Sequence, residues 1–349
     1  METRDIRSLY REELRTLAAD CGEKAFRGEQ LFSWLQEKQA AGYEEMTNLP
    51  KAFRERLAKE WPLASLQMVR RQVSTLDGTE KYLFALPDGN MIESVCMRYH
   101  HGLSVCVSSQ VGCRMGCRFC ASTVDGLVRS LHAGEMLAQV WEIGKMTGER
   151  ISHVVIMGSG EPLDNYDNTV RFIRLLSDPA GYGMSQRNIT LSTCGLVPKI
   201  RALAEEDLAI TLAISLHAPN DEKRRALMPI ARSYTIAEIL DACRYYFSRT
   251  GRRLTFEYAL AAGMNDSEAD ARELAGILRG INGHVNLIPV NPVRESGLGR
   301  SGKKVTEAFQ NKLEKYGIHV TIRREMGSDI DGACGQLRRR YMSGEDQTV

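Results

Sequence analysis

Strand-like and helix-like segments alternate from about residue 100 onward, and this alternation limits the fold more than any other feature of the chain. Seven apolar runs have the composition of buried strands, at 103–109, 153–160, 188–195, 209–218, 253–260, 284–292 and 318–324. Helical periodicity falls between them, at 132–146, 167–176, 198–205, 236–247, 268–278 and 306–316. Such alternation predicts right-handed βαβ units and a parallel sheet. About six units fit into the chain, so we expect an α/β fold with a partial barrel, since a complete barrel needs eight.

The part of the chain before residue 100 has two other patterns. Up to about residue 62, apolar residues such as Leu14, Leu17 and Leu35 recur at helical spacing, with breaks at 21–22 and 48–50, which is typical of a small helical domain. The segment 81–99 has an apolar stretch on each side of Pro-Asp-Gly-Asn, which predicts a β-hairpin.

Composition and charge narrow the class of protein. The 349 residues are 43% hydrophobic and 26% charged, with a net charge of +2, which excludes a uniformly positive surface but not a local basic groove. We expect no membrane span, because no run of about eighteen apolar residues occurs, and the charged N-terminus is unlike a signal peptide. A cytoplasmic location follows as an expectation. Nine cysteines in a reducing compartment indicate metal ligands, catalytic thiols or buried apolar residues rather than a disulfide framework.

Four of the cysteines lie within fifteen residues, and three of them, Cys113, Cys117 and Cys120, are spaced C-x3-C-x2-C. A zinc site is one interpretation, although structural zinc usually has four ligands and a second C-x2-C pair is missing here. Inert buried thiols are a second interpretation. A [4Fe–4S] cluster, which thiolates hold, is the third. Three ligands would leave one iron atom without a protein ligand, so that another molecule could bind there.

The position of the cysteine loop favours a functional site. It follows a predicted strand and precedes a helix, at the carboxyl edge of the sheet where α/β barrels place their sites. Gly112 and Gly116 would allow a tight turn, and Phe119 could shield a cluster from water.

Polar residues end other predicted strands at the same expected edge. In "MGSGEPLDN" (157–165), Gly160 would let a ligand approach the backbone, and Glu161 could accept hydrogen bonds from an ammonium group. A tight turn with Asp164 as a helix cap is the alternative. The further candidates are Ser192, Ser215, Leu216, His217 and Asn291. Each of these alone could be a capping or structural residue.

Two groups of motifs resemble known families. C-x3-C-x-Φ-C, with Phe119 as Φ, resembles the signature of radical S-adenosylmethionine (SAM) enzymes. "GSDIDGACGQL" (327–337), which contains Cys334, resembles a segment of the RlmN/Cfr family of RNA methyltransferases. A lone cysteine is usually inert, so the importance of Cys334 rests on this resemblance. The same family is matched by "SSQVGC", "GEPLDN", "SLHAP" and "LIPVNP", and its accessory helical domain by "FRGEQLFSWL" and "MTNLPKAFRERL".

The resemblance implies an α/β fold, a partial (βα)6 radical SAM barrel with a small N-terminal helical accessory domain and a β-hairpin linker. The expected division is 1–65 for the accessory domain, 66–98 for the hairpin linker, 99–325 for the radical SAM core and 326–349 for a C-terminal loop with a basic tail. The implied cofactors are one [4Fe–4S] cluster on Cys113, Cys117 and Cys120, and two molecules of SAM per turnover. The implied SAM contacts are Gly160, Glu161, Ser192, Ser215, Leu216, His217 and Asn291, with the "GEP" segment on the methionine amino group.

The chemistry implied by the resemblance is methylation of carbon-2 of adenine. This electron-poor aryl carbon is not a useful nucleophile, so a radical route and a covalent carrier are needed. In the family's route, Cys334 accepts a methyl group from one SAM and becomes S-methylcysteine. A 5′-deoxyadenosyl radical from a second SAM activates that methyl, which adds to the adenine. Cys106 then attacks the Cys334 sulfur, forming a transient disulfide bond that releases the product.

Glu93 matches the proton acceptor of the family. The residues add a modest independent indication, because Glu93 stands in an otherwise apolar strand where burial could raise a carboxyl pKa. A glutamate that faces outward from the strand is the alternative.

The implied partners are 23S rRNA, at an adenine of the peptidyl transferase centre, tRNA, at an anticodon-loop adenine, and a flavodoxin- or ferredoxin-type electron donor. We expect a monomer that does not bind membranes.

Clusters of basic residues could contact the phosphates of RNA, although such clusters are usually part of the solvated surface. The clusters are Arg4, Arg7, Arg11 and Arg15 near the N-terminus, the pairs at 70–71, 252–253, 303–304 and 323–324, and the triplet at 338–340.

Two alternatives remain open. A Cfr-type enzyme would methylate carbon-8 of the same ribosomal adenine and confer antibiotic resistance, but "GEPLDNYDN" and the full N-terminal domain look more like the carbon-2 group. A non-catalytic iron–sulfur or zinc RNA-binding protein would need neither Cys334 nor Cys106.

Overall fold

The structure, a computed structural model, describes residues 5–63, 65–290, 297–330 and 336–342. Within these residues ten strands form one sheet. Their order across the sheet is β1 (Gln67–Val73), β2 (Glu80–Ala85), β3 (Met91–Tyr99), β4 (Gly102–Cys106), β7 (Ile151–Ile156), β8 (Ile189–Thr193), β9 (Thr211–Ser215), β10 (Leu254–Leu260), β11 (Gly283–Pro289) and β12 (Val320–Ile322).

Seven strands pair in parallel along the sheet, in the order β4, β7, β8, β9, β10, β11 and β12, and helices connect them. The helices of this part are α4 (Ala133–Thr147), α5 (Tyr166–Ser177), α6 (Val197–Leu203), α7 (Asp221–Leu227), α8 (Ile236–Thr250), α9 (Glu268–Leu278) and α10 (Lys303–Lys315). Every residue of β10 is buried, as expected for a strand that is covered on both faces. The predicted α/β fold with a partial parallel barrel is confirmed.

The three-stranded antiparallel segment β1–β2–β3 continues this sheet. The hairpin predicted at 81–99 is present as β2 and β3, and β3 in turn pairs with the first parallel strand, with Val95 opposite Cys106. β1 and the short α7 were not predicted. The division of the chain into four units stays a prediction, but the hairpin residues share one sheet with the barrel.

The N-terminal region is helical, as predicted, with α1 (Arg11–Asp20), α2 (Phe26–Phe32) and α3 (Lys51–Glu60). Their apolar residues belong to the same continuous core as the barrel. Arg11 bonds to Asp178 at 3.1 Å, and the backbone N–H of Gly134 donates to Ser8 Oγ at 2.8 Å. These contacts hold the helical region against the outer helices of the barrel.

A second, small sheet encloses the cysteine loop. Its strands β5 (Gln110–Gly112) and β6 (Leu127–Ser130) are antiparallel. Gly112 has a φ of +75°, and a Cβ there would lie 2.0 Å from the carbonyl oxygen of Gly126. A glycine is therefore required where the loop begins.

The C-terminal segment is anchored to the antiparallel strands. In the β1–β2 turn, Ser74 Oγ and the Thr75 backbone N–H donate to the Asp329 carboxylate at 2.6 and 2.8 Å, and the Gly327 N–H donates to Asp77 at 2.9 Å. Helix α11 (Gln336–Met342) contacts β3, and its Leu337 is fully buried. The chain on both sides of residues 331–335 is thus fixed to one part of the molecule.

No helix among the described residues is long and apolar enough to cross a membrane.

Candidate active site

A cavity of about 320 Å³ opens at the carboxyl ends of the parallel strands. Most of the residues predicted from sequence line it together: Cys106, Cys113, Cys117, Cys120, Gly160, Glu161, Ser192, Ser215 and His217. These positions span more than a hundred residues of chain. The fold brings them together because parallel strands present their carboxyl ends at one edge.

The three spaced cysteines line the same cavity. Burial raises the pKa of Cys113 to about 12 and that of Cys117 well above its usual range, and the charge of Cys120 adds to both shifts. The loop is held by backbone bonds, including Cys113 N–H to Gly126 O at 2.9 Å. Phe119 is half-buried and packs against the cavity wall.

These residues fit a [4Fe–4S] cluster. Soft thiolates are the ligands of iron–sulfur clusters, and a metal ion removes the proton that burial would otherwise retain on a coordinating thiol. Within the described ranges, no group of three or more His, Cys, Asp or Glu side chains is arranged to hold a single metal ion. Each cysteine of a cluster binds a different iron atom, so the three sulfurs need not converge on one point.

The "GEP" segment is built into the cavity wall. Gly160 has a φ of +105°, and a Cβ there would lie 2.6 Å from the side chain of Gln110. Gln110 Oε1 accepts a bond from the Glu161 backbone N–H at 2.9 Å. The Glu161 carboxylate accepts backbone N–H groups from Leu163 at 3.0 Å and Cys194 at 2.8 Å. Burial nevertheless raises the pKa of Glu161, against these hydrogen bonds.

Asp164 connects this segment to the cysteine loop. It pairs with Arg114 and accepts a bond from Gln110 Nε2 at 3.0 Å. The side chain predicted as a possible helix cap therefore joins two motifs that are about fifty residues apart in sequence.

Ser192 and Ser215 lie on neighbouring strands, with their hydroxyl oxygens 3.3 Å apart. Leu216 differs from the other predicted SAM contacts, because its side chain is fully buried in the main core and does not line the cavity. Only its backbone could therefore contact a ligand.

His217 is held in a fixed, neutral form. Its Nδ1 accepts the Ala259 backbone N–H at 2.9 Å, so the ring proton is on Nε2. Burial, with a contribution from Arg224, lowers the pKa of His217 to about 3. Its φ of +58° and its edge-on contact with Phe119, at 4.7 Å between ring centroids, show that it also has a structural role.

Cys106 ends β4 and is buried in an apolar cluster with Val95, Met97 and Met326. Its side chain lines the same cavity as the three spaced cysteines. Met326 belongs to the segment that leads to Cys334, so that segment approaches Cys106. No disulfide bond joins any two cysteines in the part of the chain that the structure describes.

Glu93 is buried, with 5% of its surface exposed, so the alternative of an outward-facing glutamate is wrong. Its Oε2 lies 3.2 Å from the Nζ of Lys81, which is itself fully buried. The backbone N–H of Arg338 donates to Oε1. Glu93 thus shares a buried ion pair and contacts the helix that follows Cys334.

Two predicted site residues, Cys334 and Asn291, lie outside the described residues. The transient disulfide bond between Cys334 and Cys106 accordingly stays a prediction.

Sequence reasoning missed several residues of the cavity. Cys194 lines it, and its backbone N–H donates to the Glu161 carboxylate at 2.8 Å. Its place two residues after Ser192 was an available signal. Glu257, on β10, is buried in the cavity wall and accepts a bond from Asn286 at 2.9 Å. Nothing in the local sequence distinguishes Glu257 from an ordinary strand residue.

Three of the four N-terminal arginines have bonding partners within the chain. Arg7 is buried and donates to Ala40 O at 3.0 Å, Arg11 pairs with Asp178, and Arg15 pairs with Glu12 at 3.0 Å. Arg4 lies outside the described residues. Helical spacing alone could not reveal that carboxylates and a carbonyl group of the same chain bond to these side chains.

A partial parallel barrel that holds three such cysteines beside a "GEP" wall at its carboxyl edge defines a radical SAM enzyme. The family model for the Radical SAM superfamily matches residues 107–275, and that for the Ribosomal RNA large subunit methyltransferase N-terminal domain matches residues 4–62. A protein of Lachnospira eligens, named "Probable dual-specificity RNA methyltransferase RlmN", is 59% identical over 99% of this chain and 98% of its own length. The chain belongs to the RlmN family of dual-specificity RNA methyltransferases.

Two further comparisons agree. A protein of the same name from Clostridium novyi is 53% identical over 97% of this chain and 99% of its own length. A solved structure of a radical SAM methyltransferase from Sphaerobacter thermophilus superimposes with a TM-score of 0.90, at 46% identity, and covers 95% of this chain and 98% of that chain. The resemblance to the RlmN type is confirmed, and a non-catalytic binding protein is excluded.

Membership of this family establishes the cofactors and the class of reaction. The enzyme is a radical SAM RNA methyltransferase that uses a [4Fe–4S] cluster and two molecules of SAM.

Proposed function

We propose that this enzyme methylates carbon-2 of an adenine in the peptidyl transferase centre of 23S rRNA and of an anticodon-loop adenine in tRNA, with S-methylcysteine at Cys334 as intermediate. The observation that carries the proposal is the position of Cys106. This cysteine has no ligand spacing, yet it lines the same cavity as Cys113, Cys117 and Cys120. A protein that only held a cluster would not need it.

The residues that would hold the cofactors are those of the cavity wall. Cys113, Cys117 and Cys120 would bind the cluster, and Glu161 would accept hydrogen bonds from the methionine ammonium, because each carboxylate oxygen retains a lone pair after its backbone bond. When bound, the cluster and SAM supply a 5′-deoxyadenosyl radical.

Other residues of the cavity wall would position the remaining groups of SAM. The hydroxyls of Ser192 and Ser215 point into the cavity side by side, and His217 presents an uncharged ring with a fixed tautomer. Asn291 is proposed as a further contact. Leu216 would contribute through its backbone.

Cys334 would carry the methyl group to adenine. The chain before it is anchored through Asp329 and the chain after it through Arg338 and Leu337. Arg338 is four residues from Cys334 along the chain. Both anchors lie at the antiparallel strands beside the cavity, which supports a role for Cys334 at this site.

Cys106 and Glu93 would complete the reaction. Glu93 would accept the proton that the adenine carbon loses. Cys106, after loss of its thiol proton, would attack the Cys334 sulfur and form a disulfide bond. The carbon–sulfur bond breaks with its electron pair left on the methylene carbon, which takes up a proton and becomes the methyl group of the product. The apolar cluster around Cys106 keeps water away from this step.

Three further points of the proposal rest on the family resemblance and the RNA substrate. They are a flavodoxin- or ferredoxin-type electron donor, a monomeric enzyme and a cytoplasmic site of action.

The test is mass spectrometry of nucleosides from rRNA and tRNA of cells with and without the gene. We expect 2-methyladenosine to disappear from both RNA classes in the deletion strain and to return with the purified enzyme. Loss of 8-methyladenosine instead would establish the Cfr-type reaction.

A further inference from the structure

We infer that Arg323 and Arg324 form the phosphate-binding rim of the active-site cavity and hold the RNA backbone beside the target nucleotide. This inference rests on the proposed function only in that the substrate is an RNA base that must enter the cavity. It goes further by naming the surface that the RNA contacts.

The two arginines directly follow β12, at the carboxyl end of the sheet. The Arg323 backbone N–H donates to Leu287 O at 2.8 Å, which fixes the chain to β11 just before it leaves the barrel. Both side chains are exposed and both line the cavity. They combine access to solvent with a position at the opening of the active site.

The positive charge of Arg323 and Arg324 is not neutralised by the neighbouring carboxylate of Glu325. Glu325 also lines the opening, but it forms a two-pronged pair with Arg300, at 2.9 and 2.8 Å. Within the described residues, no hydrogen bond or ion pair occupies the guanidinium of Arg324, and that of Arg323 has only the more distant charge of Glu257 nearby. Arginine forks of this kind suit phosphate oxygens.

The interior of the cavity carries acidic rather than basic side chains. Glu161 and Glu257 are buried in its wall, and carboxylates repel phosphate. A nucleotide that enters base-first therefore finds favourable contacts for its phosphates at the arginines and none deeper inside. A base must leave its stack to react at a buried site, and the rim would hold the backbone while it does so.

Two of the other basic pairs, at 70–71 and 252–253, do not line this cavity. Arg252 and Arg253 precede β10 and lie at the opposite, amino end of the strands, where Arg253 lines a separate open pocket of about 540 Å³. Arg71 is paired with Glu80 at 2.7 Å. Arg252 and Arg253 are therefore a matched control, equal in charge and in sequence spacing.

The experiment compares the full-length, cluster-loaded enzyme with Arg323→Gln/Arg324→Gln, Arg323→Lys/Arg324→Lys and Arg252→Gln/Arg253→Gln. The probe is a transcript of the peptidyl transferase region of 23S rRNA, and its affinity is measured over a range of salt concentrations. For the first variant we expect the RNA Kd and KM to rise about tenfold for each arginine removed. The plot of log affinity against log salt should flatten by about 0.7–0.9 for each lost phosphate contact.

The lysine variant should retain most of the salt dependence, because it keeps both charges. The control pair should leave the RNA Kd and the slope unchanged. An unchanged slope in the Arg323→Gln/Arg324→Gln variant would overturn the inference. An equal loss of SAM affinity, measured without RNA, would also overturn it, because the arginines would then serve the cofactor. If the wild-type product were 8-methyladenosine, the proposed function would fail while these binding results would still stand.

Discussion

Glu93 and Cys106 lie on the same face of the sheet, on adjacent antiparallel strands. Cys106 is directly opposite Val95, and Glu93 is two residues from Val95, so the two residues are diagonal neighbours, typically about 7–8 Å apart. Val95 and Met97, which share this face, line the cavity. The proposed resolving thiol lines the cavity, and the proposed proton acceptor lies on the same face beside Val95, next to the cavity lining rather than in it.

Replacing Cys113, Cys117 or Cys120 with alanine should abolish iron binding and reductive cleavage of SAM, because two thiolates cannot retain the cluster. Iron and sulfide analysis after anaerobic reconstitution measures the first effect, and 5′-deoxyadenosine formation the second. Cys243→Ala is the control, since this thiol is buried in the main core. One zinc per chain and no iron in the wild type would contradict the prediction.

Cys106→Ala should accumulate a covalent adduct between Cys334 and RNA. The variant keeps the cluster ligands and the methyl carrier, so the methyl carbon can still reach adenine, but the thiol that releases the product is missing. Denaturing gels and peptide mass spectrometry of protein from cells would detect the adduct. Cys334→Ala should be inactive and carry no RNA. An inactive Cys106→Ala enzyme without bound RNA would show that Cys106 is not the resolving thiol.

Lys81→Met should lower the free energy of unfolding by about 3–5 kcal/mol, because it leaves the buried Glu93 carboxylate without its cation. The side chains of Lys81 and Glu93 are 0% and 6% exposed. Urea denaturation measures the loss, and adding Glu93→Gln should recover part of it. Lys51→Met is the control, since Lys51 and Glu55 are 83% and 66% exposed and such pairs contribute at most about 1 kcal/mol. Equal losses for the two lysine variants would contradict the prediction.

Because of His217, the free energy of unfolding should decrease as the pH falls below 6.5, the ordinary pKa of a histidine side chain. Burial and Arg224 lower its pKa to about 3 in the folded state, so between these values the unfolded chain binds a proton that the folded chain does not. The loss should be about 1.4 kcal/mol for each pH unit in this window. His217→Asn, which tolerates a positive φ, removes the titrating group, and its unfolding free energy should depend less on pH between 6.5 and 4.5. Identical pH profiles for the two proteins would show that His217 is not held neutral.

Much of the fold could be predicted from the sequence because the signals are local. Helix α9 has the predicted bounds Glu268–Leu278, and β2 and β3 pair around the predicted turn. The cavity residues at 113–120 and 160–161 could be found because chemistry requires fixed spacing on one loop. Glu93 could be proposed from the family resemblance with only a modest indication from its apolar strand, since a strand of alternating faces does not reveal which face is buried.

Three features depend on tertiary structure alone. They are the Lys81–Glu93 pair, the Cys194–Glu161 contact, and which basic residues are buried or paired and which stay exposed. Each depends on which strands become neighbours and in what register, and no local pattern encodes that. Arg7 and Arg324 are alike as sequence letters, yet one is buried against a carbonyl oxygen and the other is exposed at the cavity rim. The alternating elements and the thiol spacing follow from local sequence, because periodicity and ligand chemistry act within a few residues. Charge pairing acts through space, so only the folded sheet could decide which carboxylates meet a cation and which arginines remain exposed at the opening of the active site.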